Sequence, residues 1–265
     1  MATDAAGAER LPGGVTVVVA DRLAAVWLDR PEVRNAQTFA TWRSLAQVLT
    51  TLPVTCDVVL LRGTGPDFSA GLDLRQLRPG GLPEGSVEGL LAGSDADVNT
   101  ALAGFQAAFA GWRDLPAVVV AAVQGRAIGA GLQLALAADL RVAAADAALV
   151  VGEGRLGLVP DLGGTARLVE LVGYPAALDL CLSGRSVPAA EALRLGLVTR
   201  TAGDEGLDAC LAGLVEELLA LPSAVLRATK GLVAGAVGRP VGEQLAAERT
   251  AQLALLRAAA RRPGG

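Results

Sequence analysis

The sequence predicts one α/β domain over residues 1–265, with a core over about residues 14–200 and a helical region over about residues 204–260. Three observations predict it. Short apolar runs of β character alternate with helical patterns through the first part of the chain. After Gly163-Gly164 the helical patterns continue almost alone to the end, which reads as a helical layer added to an α/β core. A length of 265 residues buries one substantial core without requiring a second domain.

Val15 to Val19 and Leu23 to Leu28 are two β-like runs with Asp21-Arg22 between them, which predicts a hairpin. Pro31 stops the second run. Thr38 opens a helical pattern reaching about Leu52, with Trp42, Leu45, Val48 and Leu49 on one face. Val58 to Leu61 is a wholly apolar strand, followed by the turn-rich segment Arg62 to Gly71. The segment from about Leu77 to Ser94 is rich in Gly and Pro and predicts a mobile loop. A helix from about Val98 to Trp112 leads into the apolar strand Ala117 to Val123. Gly125 to Gly131 is a second Gly-rich turn, and the helix after it runs to about Ala138. Strands are expected around Leu140 to Ala143 and Ala148 to Val151. The helices that follow are broken near Gly173, Ser183 to Pro188, Gly203 and Pro222, and Arg261 to Gly265 is expected to be loose. There is no fixed-period repeat.

Composition narrows the chemistry. The net charge is −4 and there is no basic stripe, which disfavours binding to nucleic acid or an anionic membrane. No apolar run reaches transmembrane length, since Gln133, Asp139, Arg141 and Asp146 interrupt the most hydrophobic stretch. The first ten residues carry Asp4 and Glu9 and read as a frayed tail rather than a signal peptide. Cys56, Cys181 and Cys210 are odd in number and lack CxxC spacing, so reduced thiols and a cytoplasmic location are expected. Histidine is absent from the chain. That removes Ser-His-Asp and Cys-His catalysis and His-based zinc sites, and leaves proton transfer to Asp, Glu, Tyr174, a cysteine or water.

Two turns carry the functional argument. Val58-Val59-Leu60-Leu61 runs into Asp67-Phe68-Ser69-Ala70-Gly71-Leu72-Asp73-Leu74, and Val118-Val119-Val120 runs into Gly125-Arg126-Ala127-Ile128-Gly129-Ala130-Gly131-Leu132-Gln133. Small residues at such turns let a ligand reach main-chain N–H groups, and a helix N-terminus adds positive potential. Two turns side by side could aim two N–H donors at one oxygen, an oxyanion hole suited to a thioester carbonyl becoming an enolate. The same glycines would also serve simple strand-to-helix packing. Other glycine motifs fit worse. A dinucleotide fingerprint fails because Leu134 stands where its third glycine belongs, and no Gly-Lys-Ser/Thr occurs. Ser69 has Asp67 where a nucleophile elbow requires Gly.

Four segments in order resemble the crotonase (enoyl-CoA hydratase/isomerase) superfamily: Leu28 to Ala36, Phe68 to Leu74, Gly125 to Gln133, and Glu153 to Thr165. The likeness covers roughly residues 14 to 260. It implies a crotonase-like ββα spiral core with a helical C-terminal trimerisation region. It also implies that the oxyanion donors are the N–H groups of Leu72 and Ala130. Most members have Gly where Ala130 stands, but Ala still offers its N–H.

Hydratases of this family use two glutamates to hold and deprotonate a water. The first position is Gln133 here, which cannot act as a base; the second matches Glu153. Asp161 stands where hydratases usually have a small residue and several isomerases have aspartate. The resemblance therefore implies Glu153 and Asp161 as catalytic residues; Glu153 could instead be a turn carboxylate, and Asp161 the N-cap of the following helix. Coenzyme A, carried as part of the substrate and not as a separate cofactor, is expected along Arg34, Ala36, Ala70, Gly71, Asp73 and Leu74, with Gly129 and Gln133 beside it. Asp73 also reads as a cap or loop anchor. Lys230 matches a place where the family often presents a basic residue to a CoA phosphate, or is an ordinary helical lysine. No metal is implied. The apolar stripe Leu211, Leu214, Val215, Leu218 would pack a homotrimer or a dimer of trimers, or else belong to the chain's own core. Three readings follow: an enoyl-CoA isomerase, an enoyl-CoA hydratase with Glu153 acting alone, or an acyl-CoA binding protein without activity.

Overall fold

The computed structural model of the chain describes residues 7–83 and 85–261. Its first strands form for local reasons. The short strand β1 (Glu9–Leu11) pairs antiparallel with β2 (Val15–Ala20), and β2 pairs antiparallel with β3 (Leu23–Leu28). Asp21 turns the hairpin at φ 51°, a left-handed conformation that Asp tolerates. Thr38 starts α1 (Phe39–Thr51) with a reciprocal cap, its Oγ1 accepting from the Thr41 N–H while Thr41 Oγ1 accepts from the Thr38 N–H. The chain returns as β4 (Val58–Gly63), parallel to β3. The helices α2 (Val87–Leu91) and α3 (Asp95–Asp114) then lead to β5 (Val118–Val123), parallel to β4. Next come β6 (Arg126–Ile128), α4 (Ala130–Ala137), β7 (Leu140–Ala143) and β8 (Ala148–Val150). After these follow α5 (Gly164–Ser183), β9 (Ser186–Pro188), α6 (Ala189–Leu195) and β10 (Arg200–Thr201). Three helices close the described chain: α7 (Gly206–Leu219), α8 (Ser223–Ala236) and α9 (Val241–Ala260).

The strands form a seven-stranded sheet of order β1-β2-β3-β4-β5-β7-β10 and a three-stranded sheet of order β6-β8-β9. The large sheet is buried on both faces, which explains why its central strands are apolar throughout. Ala24, Val26, Val59, Leu61, Val119 and Ala121 point to the main core under α1, α3 and α4. Their neighbours Ala25, Trp27, Val58, Leu60, Val118 and Val120 point the other way, onto Leu211 and Leu214 of α7 and Leu226 of α8. Asp57, at the foot of β4, fastens this second layer, accepting from Arg22, Ser223 and Arg227. Burial opposes its charge, but those three donors hold its carboxyl below the ordinary range.

The structure amends several expectations. The segment 77–94 is not featureless, because Ser86 caps the short helix α2 within it. The chain after Gly164 is not wholly helical; β9 and β10 add three and two residues to the sheets, too few to leave an alternating pattern. The strand β6, inside the second Gly-rich turn, escaped the reading for the same reason. Gly173 does break α5, taking φ 76° and ψ 163°. The stripe on α7 belongs to the chain's own core: Leu211 and Leu214 are buried against the sheet, with Val215 and Leu218 packed beside them. Of the two readings of that stripe, this packing is the intrachain one. The remaining apolar surface of the C-terminal helices is on α8 and α9, where Val233, Val241, Leu253 and Leu256 are exposed. Among the described residues no single helix is long and apolar enough to cross a membrane, although α7 and α8 pass that test together as a bent pair. Of the two expected loose ends, residues 1–6 and 262–265 lie outside the described residues, whereas Glu9 and Arg10 are not frayed but pair with β2 as part of β1.

Candidate active site

The two Gly-rich turns meet at the C-terminal ends of β4 and β5. Ser69 N–H donates to the Arg126 carbonyl and the Ile128 N–H to the Ser69 carbonyl, both at 3.0 Å, so a single parallel bridge stitches one turn to the other. Gly71, at φ 85°, is pressed so closely on the second turn that a Cβ there would meet the Ile128 oxygen at 2.4 Å and the Ala130 nitrogen at 3.3 Å. Gly131 is equally constrained, since its Cβ would meet the Ser69 oxygen at 2.6 Å. These are close backbone approaches that only glycine permits.

This packing frees two donors. Gln37 N–H donates to the Gly71 carbonyl and Asp73 N–H to the Gln37 carbonyl, so Gln37 faces Leu72 in a parallel bridge. In such a bridge the N–H of the intervening residue, Leu72, points to the opposite side. Ala130 is the first residue of α4, and its N–H has no partner within the helix. Leu72 and Ala130 line one cavity of about 420 Å³, together with Ala70, Gly71, Leu74, Gly129, Gln133, Glu153 and Asp161. The helix terminus adds positive potential at that place.

The carboxylates line the same cavity, Glu153 so close to the second turn that a Cβ on Gly129 would meet its Oε1 at 3.2 Å. Glu153 opens a 3-10 turn (Glu153–Leu156) and is buried. Its Oε1 accepts from Gln133 Nε2 at 2.6 Å, while its buried Oε2 has no protein partner. Burial raises its carboxyl above the ordinary range, main-chain and Gln133 hydrogen bonds oppose this, and the nearby Asp161 charge adds to the rise. Asp161 is open to solvent on one side, yet the protein around it still raises its carboxyl through desolvation. It does not cap α5: the N-cap is Gly163, without a side-chain bond. Exposed Leu156, Leu158 and Val159 continue the wall, an apolar lip suited to an acyl chain.

Other expected residues lie elsewhere. Arg34 and Ala36 border the first turn without lining the cavity; the Arg34 carbonyl accepts from Ala70 N–H at 2.8 Å and the Ala36 carbonyl from Arg30 at 2.7 Å. Asp73 is an anchor rather than a ligand group: it caps the 3-10 turn Leu74–Leu77 and pairs with Arg75 at 2.6 Å and Arg30 at 3.4 Å. The Arg75 hydrogen bond is the main reason its carboxyl is held below the ordinary range. Lys230 is a correction. Its ammonium is buried, 2.7 Å from Asp139 Oδ2 and 2.7 Å from the Ala117 carbonyl. Ala117 precedes β5, whereas the cavity lies beyond that strand's other end, roughly 20 Å away at about 3.3 Å per residue. Lys230 therefore locks α8 to the sheet and presents nothing to a phosphate.

Sequence reasoning missed the supports beneath the turns. Buried Gln37 accepts from Trp42 Nε1 at 2.8 Å and donates to Ser69 Oγ at 3.1 Å. Ser69 Oγ in turn accepts from Gly71 N–H. Asn35, at φ 53°, donates to the Thr64 and Asp67 carbonyls at 2.8 Å. The polar run Asn35-Ala36-Gln37-Thr38 between apolar elements was the available signal.

Comparison with known proteins identifies this architecture. Residues 19–264 match the model of the family described as enoyl-CoA hydratase/isomerase. The chain belongs to that family. As a member of the enoyl-CoA hydratase/isomerase family it is 33% identical over 235 residues to a Rhodobacter capsulatus protein named "Probable enoyl-CoA hydratase", covering 88% of this chain and 86% of the relative. It is also 33% identical to the human mitochondrial Delta(3,5)-Delta(2,4)-dienoyl-CoA isomerase, covering 77% of this chain and 63% of that protein. A Thermobifida fusca YX structure solved in complex with CoA is 42% identical, with a TM-score of 0.88 over 94% of this chain and 95% of that one. The same protein solved with acetoacetyl-CoA is 43% identical, with a TM-score of 0.88 over 92% of this chain and 95% of that one. Within the family the expected crotonase-type α/β fold is what the chain adopts.

Proposed function

We propose that this family member shifts a double bond in an enoyl-CoA thioester through an enolate. The thioester oxygen would accept hydrogen bonds from the Leu72 and Ala130 N–H groups. Glu153 Oε2 would take a proton from the α-carbon of a 3-enoyl-CoA, and the electron pair would delocalise onto the thioester oxygen as a dienolate. Return of a proton from the carboxyl group to the γ-carbon forms the 2-enoyl-CoA and restores the carboxylate, so no other reactant is needed. Asp161, which lines the same cavity, would share the proton at the outer end of the acyl chain. The observation that carries this reading is Glu153 itself: a buried carboxylate with raised proton affinity and one oxygen left without a partner, in the cavity that holds the two donors.

A hydratase reading stands second. Hydratase names predominate among the relatives and favour it, those of the Rhodobacter protein and of the Thermobifida fusca structures included, while the human relative's name favours an isomerase. Hydration by the familiar arrangement needs two acids around one water, and Gln133 fills one of those places with an amide bonded directly to Glu153. Wild-type protein incubated separately with 3-enoyl-, dienoyl- and 2-enoyl-CoA thioesters distinguishes the two. We expect the double-bond shift to be faster than hydration. Efficient hydration without any shift would replace the first reading by the second.

A further inference from the structure

We infer that Gln133 is a positioning residue that clamps Glu153 by Oε1, assigns proton transfer to Oε2, and fixes the Asp161 turn in the same contact. This rests on the enolate reading above and deepens it. Gln133 lies on α4 and is buried. Its Oε1 accepts from the Leu162 N–H at 2.9 Å and the Gly164 N–H at 3.0 Å, and its Nε2 donates to Glu153 Oε1 at 2.6 Å. The amide has only one workable orientation, because a flip would set its NH2 against two N–H groups and its oxygen against a carboxylate. The side chain is confined as well: a Cβ on Gly164 would meet Gln133 Oε1 at 2.6 Å and Cγ at 2.7 Å.

The consequences follow from this geometry. Leu162 is the neighbour of Asp161, so one amide links the two carboxylate-bearing segments to the helix whose first N–H serves the oxyanion. Oε1 of Glu153 is occupied, and Oε2 is the oxygen left to exchange a proton. The Nε2 donor favours the carboxylate form and opposes the rise caused by burial. The other titratable or charged groups around Glu153 are Asp161, Arg155 on the same 3-10 turn, and Cys181 on α5, whose thiol burial and the Glu153 charge both raise.

The test compares Gln133→Met, Gln133→Glu and Glu153→Gln with wild type. Gln133→Met removes the donor and both acceptor contacts. It should lower kcat on a 3-enoyl-CoA by roughly tenfold or more, the scale of one hydrogen bond to a charged group. The acid limb of its kcat/KM profile should move to higher pH, since the carboxylate has lost its donor. Gln133→Glu keeps the acceptor contacts but sets two carboxyl groups together, which then share one proton and titrate as a pair. Its acid limb should also move up. Hydrogen exchange of the 160–166 segment separates the two variants without any substrate: Gln133→Met should speed it and Gln133→Glu should not. A folded Gln133→Met protein with a wild-type acid limb, or with wild-type exchange in that segment, overturns the clamp. If the clamp alone is wrong, Glu153→Gln is still inactive; if Glu153→Gln is fully active, the enolate reading and the clamp fall together.

Discussion

Replacing Gly71 by alanine tests the contact that creates the oxyanion site. The new Cβ would lie 2.4 Å from the Ile128 carbonyl oxygen, against an ordinary C···O contact of about 3.3 Å. Both partners are backbone, so the two turns must part by roughly 0.9 Å to admit it. Leu72 and Ala130 sit on opposite sides of that gap, and a misplacement of about 1 Å costs on the order of a hundredfold in rate. The left-handed φ of 85° adds about 1–2 kcal/mol of strain once a Cβ is present. For a chain of this size that corresponds to a Tm lower by about 2–8 °C. The assay is kcat/KM on a 3-enoyl-CoA at a temperature well below the lowered Tm, with circular dichroism confirming the fold. A variant that is folded and within about threefold of wild-type activity would refute the reasoning, because the turns would then not set the donors.

Further predictions concern individual groups. Ala130→Gly should keep activity, whereas Ala130→Pro removes the N–H at a first helical position that accepts proline and should lose about 2.7–4 kcal/mol of transition-state stabilisation, read as kcat/KM. Glu153→Gln should raise Tm at pH 7. Burial raises the native pKa of this carboxyl above its unfolded value, so its ionisation costs stability once pH rises through that interval. The gain should vanish below the unfolded pKa, where Glu153 is protonated in both states. Lys230→Ala should destabilise the protein by about 3 kcal/mol in denaturant melts by removing the cation that pairs with Asp139, whose Oδ2 then keeps only the Val119 N–H, with KM for the CoA thioester unchanged. Light scattering at micromolar concentration should give at least three times the 26.7 kDa chain mass, in keeping with the exposed apolar residues of α8 and α9; a monomer would contradict the trimer.

Much of this site could be read from the sequence because its parts are local. The two strand-to-turn segments, Gln133 in place of an acid, and Glu153 and Asp161 are each recognisable within a few neighbours, and the structure gathers them round one cavity. Long-range hydrogen bonding has no such signature. The Gln37–Ser69 bond spans 32 residues and Asn35–Asp67 another 32, so nothing periodic announces that these side chains hold the first turn in place. Lys230 misled for a related reason. Its neighbours match the family, but its partner Asp139 comes from the connection between α4 and β7, and only the folded sheet shows that the pair lies at the strand end remote from the cavity. The stripe on α7 has the spacing that either an interface or a core would have, and the burial of Leu211 and Leu214 against Val58 and Val118 decides for the core.

The most direct test of the central claim is the rate at which folded Glu153→Gln converts a 3-enoyl-CoA to the 2-enoyl-CoA. The glutamine keeps an oxygen for Gln133 Nε2 to bond but cannot take the α-proton. Removal of a general base of this kind costs on the order of 10²–10⁴ in kcat, and KM should stay near the wild-type value because the donors on Leu72 and Ala130 are untouched. Turnover at the wild-type rate would contradict the claim that Glu153 moves the proton.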